Sequence, residues 1–329
     1  MRKKFVGVSA VAALTLGLAA CTSASEPSTE GGASAAANTE QKYVALISKG
    51  FQHQFWQTVQ KGAQQAAEEF DVRITFDGPD SEAEVEQQLQ QFQTALNGKP
   101  DAIGFAALDS EASIPMLEQA QAAGIPIIAF DSGVNSDIVL ATASTDNKAA
   151  AAAAAENMVR LTGGKGDVAI VCHDQTSITG LDRRDGFVEY LEANAPDMKV
   201  IDIQYGGGDQ LKSTDITKSI LQSNPDLAGL YACNEGSAIG VINGVQELDR
   251  AEGLAVIGFD SGKAQIDAIN SGVMDGAVTQ NPLGIGYETV KAAVAAINGE
   301  DVPSKIDTGF YYYDKTNINN EEILAVIYQ

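Results

Sequence analysis

The stretch Ser48-Lys49-Gly50-Phe51-Gln52-His53-Gln54-Phe55-Trp56 gathers a cation, an imidazole, several amides, two phenylalanines and the chain's single tryptophan into one turn. The turn leaves an apolar strand, Tyr43 to Ile47, and enters a long amphipathic helix beginning near Phe55. A plain surface loop has no use for the rings, and a plain core has no use for the charges. The mixture suits a cradle for a small polar ligand with apolar faces, offering donors and acceptors to its hydroxyls and flat rings to its C–H surfaces. The competing reading is packing alone, with Phe55 and Trp56 as the first inward-facing residues of the helix.

A second set of residues comes from an internal echo. Ile127-Ile128-Ala129-Phe130-Asp131-Ser132-Gly133 recurs as Val256-Ile257-Gly258-Phe259-Asp260-Ser261-Gly262. Each copy is a buried strand ending in a carboxylate, a small hydroxyl and a glycine. Ligands of open parallel sheets bind beyond the carboxyl ends of the strands, so two similar lobes would aim Asp131 and Asp260 into one cleft. Alternatively, each Asp caps the helix that follows it. Lys49, Asn234 and Gln280 stand at further strand ends, with Arg183 just inside a helix. Carboxylate acceptors, cationic donors and amides that do either are what a neutral polyhydroxylated ligand needs. Hydrogen bonds to charged groups contribute about 1.5–3 kcal/mol each, so several give micromolar or tighter binding if the cleft closes and excludes water.

Catalysis is disfavoured. The two histidines, His53 and His173, have no zinc or redox spacing to the cysteines or acids. There is no nucleophile elbow and no HExxH, and Gly163-Gly164-Lys165-Gly166 precedes a strand where a phosphate loop would follow one. Gly206-Gly207-Gly208 does follow a strand but lacks dinucleotide spacing and reads as a flexible turn. Paired carboxylates alone do not make a glycosidase, which needs one proton-donating acid in an apolar niche. No catalytic residue, metal or cofactor is expected.

The elements that position these residues alternate short apolar runs with longer helical ones, the pattern of βαβ units and parallel sheets. Expected strands are Tyr43–Ser48, Arg73–Asp77, Ala102–Ala106, Ile125–Phe130, Asp167–Cys172, Lys199–Gln204, Gly229–Cys233, Ala255–Phe259 and Ala277–Thr279. Ser81 with Glu84 reads as a capping box opening a helix that stops at Gly98, and Gly124, Gly163, Gly272 and Gly299 mark other helix ends. The alanine run Ala149 to Ala155 suits a helix packed closely on a sheet.

Ahead of this pattern, Arg2, Lys3 and Lys4, the apolar run Phe5 to Leu18, and Leu18-Ala19-Ala20-Cys21 read as a secretory signal too short to span a membrane. The cysteine after the cleavage site resembles a bacterial lipobox, in which Cys21 is lipidated. Residues 21–42 are polar and aperiodic, as expected of a disordered tether. Removing residues 1–20 takes the 21 Lys and Arg to 18 against 44 Asp and Glu, and the formal charge from −23 to −26. So acidic a chain does not bind nucleic acid by neutralising phosphates. Cys172 and Cys233 end apolar strands; spacing alone leaves a disulfide and two free thiols both open.

From Tyr43 to about Gly309 the chain resembles the ribose-type periplasmic binding proteins, the solute receptors of bacterial sugar ABC importers. The resemblance rests on Phe55-Trp56 followed by Lys61-Gly62-Ala63, on Ala123-Gly124-Ile125-Pro126-Ile127-Ile128, on Thr145-Asp146-Asn147, and on Arg183 before Gly186-Phe187. Asn234-Glu235, Gly258-Phe259-Asp260 and Gln280 complete it. It implies an α/β fold of two doubly wound parallel-sheet lobes with a three-strand hinge and a ligand cleft between them. Residues 43–145 with 281–307 would form the N-terminal lobe, and 146–280 with 308–329 the C-terminal lobe.

The same resemblance implies that Phe55 and Trp56 sandwich a sugar ring. It also implies that Lys49, His53, Asp131, Ser132, Arg183, Asn234, Asp260 and Gln280 contribute to the site. Two departures put D-ribose in doubt: Ser132 replaces an arginine of the ribose receptor, and glycines near Gly207 replace an aromatic. Both losses of bulk fit a hexose or an open-chain polyol. The expected function is capture of a neutral monosaccharide or polyol and its delivery to an ABC permease and ATPase complex. The expected protein is a monomer, extracytoplasmic and anchored to the membrane through Cys21, without nucleic acid. Alternatives are presentation of the ligand to a chemotaxis or sensor-kinase partner, a nucleoside or furanone signal as ligand, and an enzyme acting on a sugar.

Overall fold

The computed structural model describes residues 41–328. The expected signal segment, Cys21 and all of the tether but its last two residues lie outside the described residues.

Two parallel sheets are built by the same winding. The first takes β1 (Tyr43–Ile47), β2 (Arg73–Asp77), β3 (Ala102–Phe105), β4 (Ile127–Phe130), β5 (Ala141–Ser144) and, from late in the chain, β11 (Lys305–Asp307), in the order β11-β5-β4-β3-β1-β2. The second takes β6 (Gly166–Cys172), β7 (Met198–Tyr205), β8 (Gly229–Ala232), β9 (Ala255–Phe259), β10 (Gly276–Gln280) and β12 (Phe310–Asp314), in the order β12-β10-β9-β8-β6-β7. The two orders are superimposable strand for strand, and β4 and β9, which carry the sequence echo, hold equivalent places. All neighbours are parallel except β10 and β12. The chain passes between sheets after β5, after β10 and between β11 and β12.

Helices cover both faces, which is why β1, β3, β4, β8 and β9 read as apolar runs rather than alternating ones. On the first sheet lie α1 (Gln54–Glu69), α2 (Val85–Asn97), α3 (Ile114–Ala122) and α9 (Pro282–Ile297). On the second lie α4 (Asn147–Thr162), α5 (Ile178–Asn194), α6 (Gln210–Ser223), α7 (Glu235–Glu247) and α8 (Lys263–Ser271), and α10 (Glu321–Leu324) ends the chain. The Lys61-Gly62-Ala63 motif has a packing cause. A Cβ on Gly62 would lie 1.9 Å from the Leu283 carbonyl oxygen, and one on Gly286 would lie 1.9 Å from that of Val59. Both helices therefore need glycine where α1 crosses α9. The alanine run of α4 buries Ala150, Ala151, Ala154 and Ala155 with Met158 against β6, β8 and β9 residues.

The nine expected strands are present, and β5, β11 and β12 join them. The expected capping box is not formed. Ser81 accepts from Ala83 N–H at 3.4 Å and Glu84 has no side-chain cap, so α2 begins only at Val85. The carbonyl of Ser81 instead closes a turn with Glu84 N–H at 3.2 Å, which leaves Glu82 buried. Cys172, the last residue of β6, and Cys233, just past the end of its neighbour β8, form a disulfide.

Candidate functional site

The carboxyl ends of the two sheets face each other across one small, partly open cavity. Lys49, His53, Phe55, Trp56, Asp131, Arg183, Asn234, Asp260 and Gln280 line it, together with Glu82, His173 and Thr179. Ser132 is not among them. The backbone of Asp131 is left-handed, at φ 57°, and turns the chain so that Ser132 N–H donates to the Phe130 carbonyl at 2.6 Å; the Ser132 side chain is fully buried away from the cavity.

Asp131 and Asp260 share more than sequence context. Both are non-glycine residues at positive φ, 57° and 78°, a conformation that costs energy and persists only where the surroundings impose it. Neither caps the helix that follows it in sequence; α8 begins after Gly262, and no helix follows Asp131 within 10 residues. Asp260 accepts from Gln280 Nε2 at 2.7 Å and from Glu235 N–H at 2.9 Å. Arg183 stands 3.9 Å from Asp131, lies over the Phe259 ring at 3.9 Å, and is held by Asn147 at 2.8 Å and the Cys233 carbonyl at 3.0 Å. Thr145-Asp146-Asn147 thus enters the site through the arginine it aims.

The opening turn packs into the core and lines the cavity at once. Phe55 and Trp56 belong to the core of the first lobe and also form a wall of the cavity, edge to face at 4.9 Å. Trp56 donates its indole N–H to Glu82 at 2.8 Å, and Asn234 from the other lobe donates to the same carboxylate at 3.0 Å. Lys49 crosses in the opposite direction, to Thr179 at 3.1 Å, Ser177 at 3.4 Å and Asp174 at 3.8 Å. Asn234 is occupied at both ends, since its carbonyl accepts from Ser237 N–H to cap α7. Free hydrogen-bonding capacity remains on His53, both of whose buried ring nitrogens lack a partner among the described residues, and on His173 Nδ1. Buried polar atoms of this kind need a hydrogen-bond partner, which water or a ligand hydroxyl can supply.

Electrostatics sort the acids. Burial pushes Asp131 up to about 6 and raises Asp260, each against the pull of Arg183 and other donors. Burial also acts to raise Glu82, but Lys49, the two histidines and the Trp56 bond together hold it below the ordinary carboxylate value. His173 is lowered by burial to about 3, so its ring is neutral near pH 7.

Glu82, His173 and Thr179 were not expected at the site. His173 directly follows β6, so the pattern of a polar residue at each strand's carboxyl end had the signal to find it. Glu82 lies in a turn with no periodicity, and Thr179 in the first turn of a helix. Gly206-Gly207-Gly208 is more than a flexible turn. Gly208 sits at φ 68°, and a Cβ there would lie 2.8 Å from Glu82 Oε2, so this loop abuts the cavity wall.

Two duplicated lobes closing strand tips over one polar cavity with an aromatic wall is a binding-protein arrangement, and the model of the periplasmic binding protein domain matches residues 44–301. The chain belongs to the periplasmic binding proteins, in their ribose-type branch. It is 28% identical over 268 residues to the D-allose-binding periplasmic protein of Escherichia coli (strain K12), covering 79% of this chain and 86% of that protein. It is 24% identical over 300 residues to the xylitol-binding protein of Mycolicibacterium smegmatis, covering 91% and 82%. A carbohydrate transporter solute binding protein from Agrobacterium radiobacter, solved with D-arabinose, superimposes with a TM-score of 0.85 at 29% identity, over 88% of this chain and all of that one. One from Agrobacterium vitis, with bound D-fucose, gives 0.85 at 31% identity over 87% and 100%. These periplasmic binding proteins are sugar-binding transport proteins rather than enzymes.

Proposed function

We propose that the protein captures a single neutral monosaccharide or polyol in the interlobe cavity and presents it to an ABC importer. One observation carries this reading: side chains from both sheets converge on one cavity, with carboxylates, an arginine, a lysine and imidazoles around an aromatic wall. In the proposed complex, Phe55 and Trp56 lie against the sugar's C–H faces. Asp131 and Asp260 accept from its hydroxyls, while Arg183, Lys49 and His53 complete the polar contacts, joined by Glu82 and His173. The lining, polar side chains of both lobes around one aromatic wall, suits the hydroxyls and C–H faces of one ring or one short polyol. D-allose, D-arabinose, D-fucose and xylitol are natural candidates, being named for relatives of this chain.

In this reading the lobes comprise residues 43–145 with 281–307 and 146–280 with 308–329, and move about the three chain crossings. Ligand contacts drawn from both lobes favour the closed form, shifting the open–closed population as the sugar binds. The protein works outside the cytoplasm, tethered through a lipid on Cys21. Among the described residues no helix is long and apolar enough to cross a membrane.

A thermal-shift panel of pentoses, hexoses and polyols, with product analysis of each mixture, tests the reading, because a ligand that binds only the native state raises its melting temperature. One or a few sugars should stabilise the protein and be recovered unchanged. Turnover, or stabilisation by none of them, would contradict it.

A further inference from the structure

α1, which carries Phe55 and Trp56, starts without a cap of its own: its N-cap residue is His53, whose side chain makes no capping hydrogen bond. The first N–H groups of a helix need acceptors, and a carboxylate is favoured there by the helix dipole. Here the acceptor comes from the other lobe. Glu235, the first residue of α7, receives Gln54 N–H on one carboxylate oxygen and Phe55 N–H on the other, each at 3.0 Å. Glu235 is buried and is not a cavity-lining residue.

Three neighbours fit this junction. Gln54 accepts from Lys263 N–H at 2.9 Å, so the start of α1 also meets the start of α8. The Tyr328 hydroxyl donates to Glu235 at 3.4 Å and accepts from Ser261 N–H at 3.3 Å, while its ring lies 6.3 Å from that of Phe55. Gly262 faces the junction: a Cβ there would lie 3.0 Å from Glu235 Oε1 and 3.1 Å from Gln54 Oε1. Glu235 N–H donates to Asp260, Gln280 donates to the same Asp260, and Thr145, where the chain leaves the first sheet, donates to Gln280. A continuous run of hydrogen bonds thus joins a chain crossing, a cavity carboxylate and the helix that holds the aromatic wall.

We infer that Glu235 is a closure latch, a positioning residue that caps α1 only when the lobes are shut and so sets how long a bound sugar is held. The inference rests on the sugar-receptor reading above. Opening the cleft separates Glu235 from α1 and returns both ends to water, so the latch acts on the closed state and leaves each lobe's own packing alone. Its effect falls on release rather than on encounter, as expected of contacts that form after docking.

The test uses whichever of D-allose, D-arabinose, D-fucose and xylitol stabilises the wild type most. Stopped-flow association and dissociation rates, X-ray scattering and the melting temperature without sugar are compared for the wild type, Glu235→Ala, Glu235→Gln and Gly262→Ala. The latch predicts dissociation about tenfold faster for Glu235→Ala, equivalent to about 1.4 kcal/mol. It predicts association within about twofold, an unchanged sugar-free melting temperature, and partial recovery in Glu235→Gln, which keeps one acceptor oxygen. Gly262→Ala, which retains the carboxylate but crowds it at an ordinary φ, should also release faster and compact less, and decides the matter if Glu235→Ala lowers the sugar-free melting temperature. Wild-type release rates in Glu235→Ala and Gly262→Ala, with the wild type binding and compacting normally, would overturn the latch alone. No binding or compaction by the wild type would overturn the sugar-receptor reading and the latch with it.

Discussion

The indole N–H of Trp56 donates to Glu82 at 2.8 Å, with both side chains buried. The bond fixes the plane of the cavity's aromatic wall through an acid from a neighbouring loop of the same lobe. Asn234 of the other lobe ends on the second oxygen of that acid at 3.0 Å. Glu82 therefore needs two acceptor oxygens, one for each lobe. In Glu82→Gln an amide NH2 must face one of the two donors. With charged hydrogen bonds contributing about 1.5–3 kcal/mol, sugar affinity should fall about 10- to 100-fold in calorimetric titration. Wild-type affinity in this variant would remove Glu82 from the binding machinery.

Asp131 sets a pH dependence whose sign follows from its burial. Its carboxyl is raised from 3.8 to about 6 in the folded protein. A raised acid stabilises the fold fully below about pH 4, and that contribution is lost as pH rises through about 6. Asp131→Asn removes the titration. Relative to the wild type, the sugar-free variant should gain stability between pH 4 and pH 7, by up to about 3 kcal/mol. Chemical denaturation across that range measures the difference; a pH-independent offset would contradict the assignment. Sugar hydroxyls donate to the ionised form, so wild-type affinity should weaken as pH falls below about 6.

The Cys172–Cys233 disulfide spans 61 residues at the carboxyl ends of β6 and β8, and His173 and Asn234 directly follow its two cysteines. Closing a loop of that length stabilises the native state by about 4 kcal/mol in the chain-entropy description. Cys172→Ala with Cys233→Ala, or reduction, should lower the urea midpoint and weaken sugar binding, because the cross-link holds two cavity residues in register. An unchanged midpoint under reductant would mean that the bridge contributes nothing.

The fold was legible because parallel strands buried on both faces announce themselves as apolar runs, as β1, β4 and β9 do. The strands that escaped carry weaker patterns. β5 is Ala141-Thr142-Ala143-Ser144, small and half polar; β11 is three residues with two charges; β12 is an antiparallel edge strand of aromatics ending in Asp314. The cavity was legible where the site residue ends a strand, as at Asp131, Asn234 and Asp260. Glu82 escaped because only the folded turn buries it beside Trp56. Ser132 was misplaced because the left-handed backbone of Asp131 reverses the direction expected of the next residue. The sequence echo showed that the halves are alike, but not that Glu235 of one half completes a helix of the other.

Trp56 is the chain's single tryptophan and forms part of the cavity wall, so its emission reports on the site without a label. Titrating the protein with the sugar that stabilises it most should change that emission saturably, with one sugar per chain and at the concentration that raises the melting temperature. Asp260→Asn should abolish both responses together. A sugar that stabilises the protein while Trp56 emission stays constant through saturation would place binding outside the interlobe cavity and contradict the proposed function.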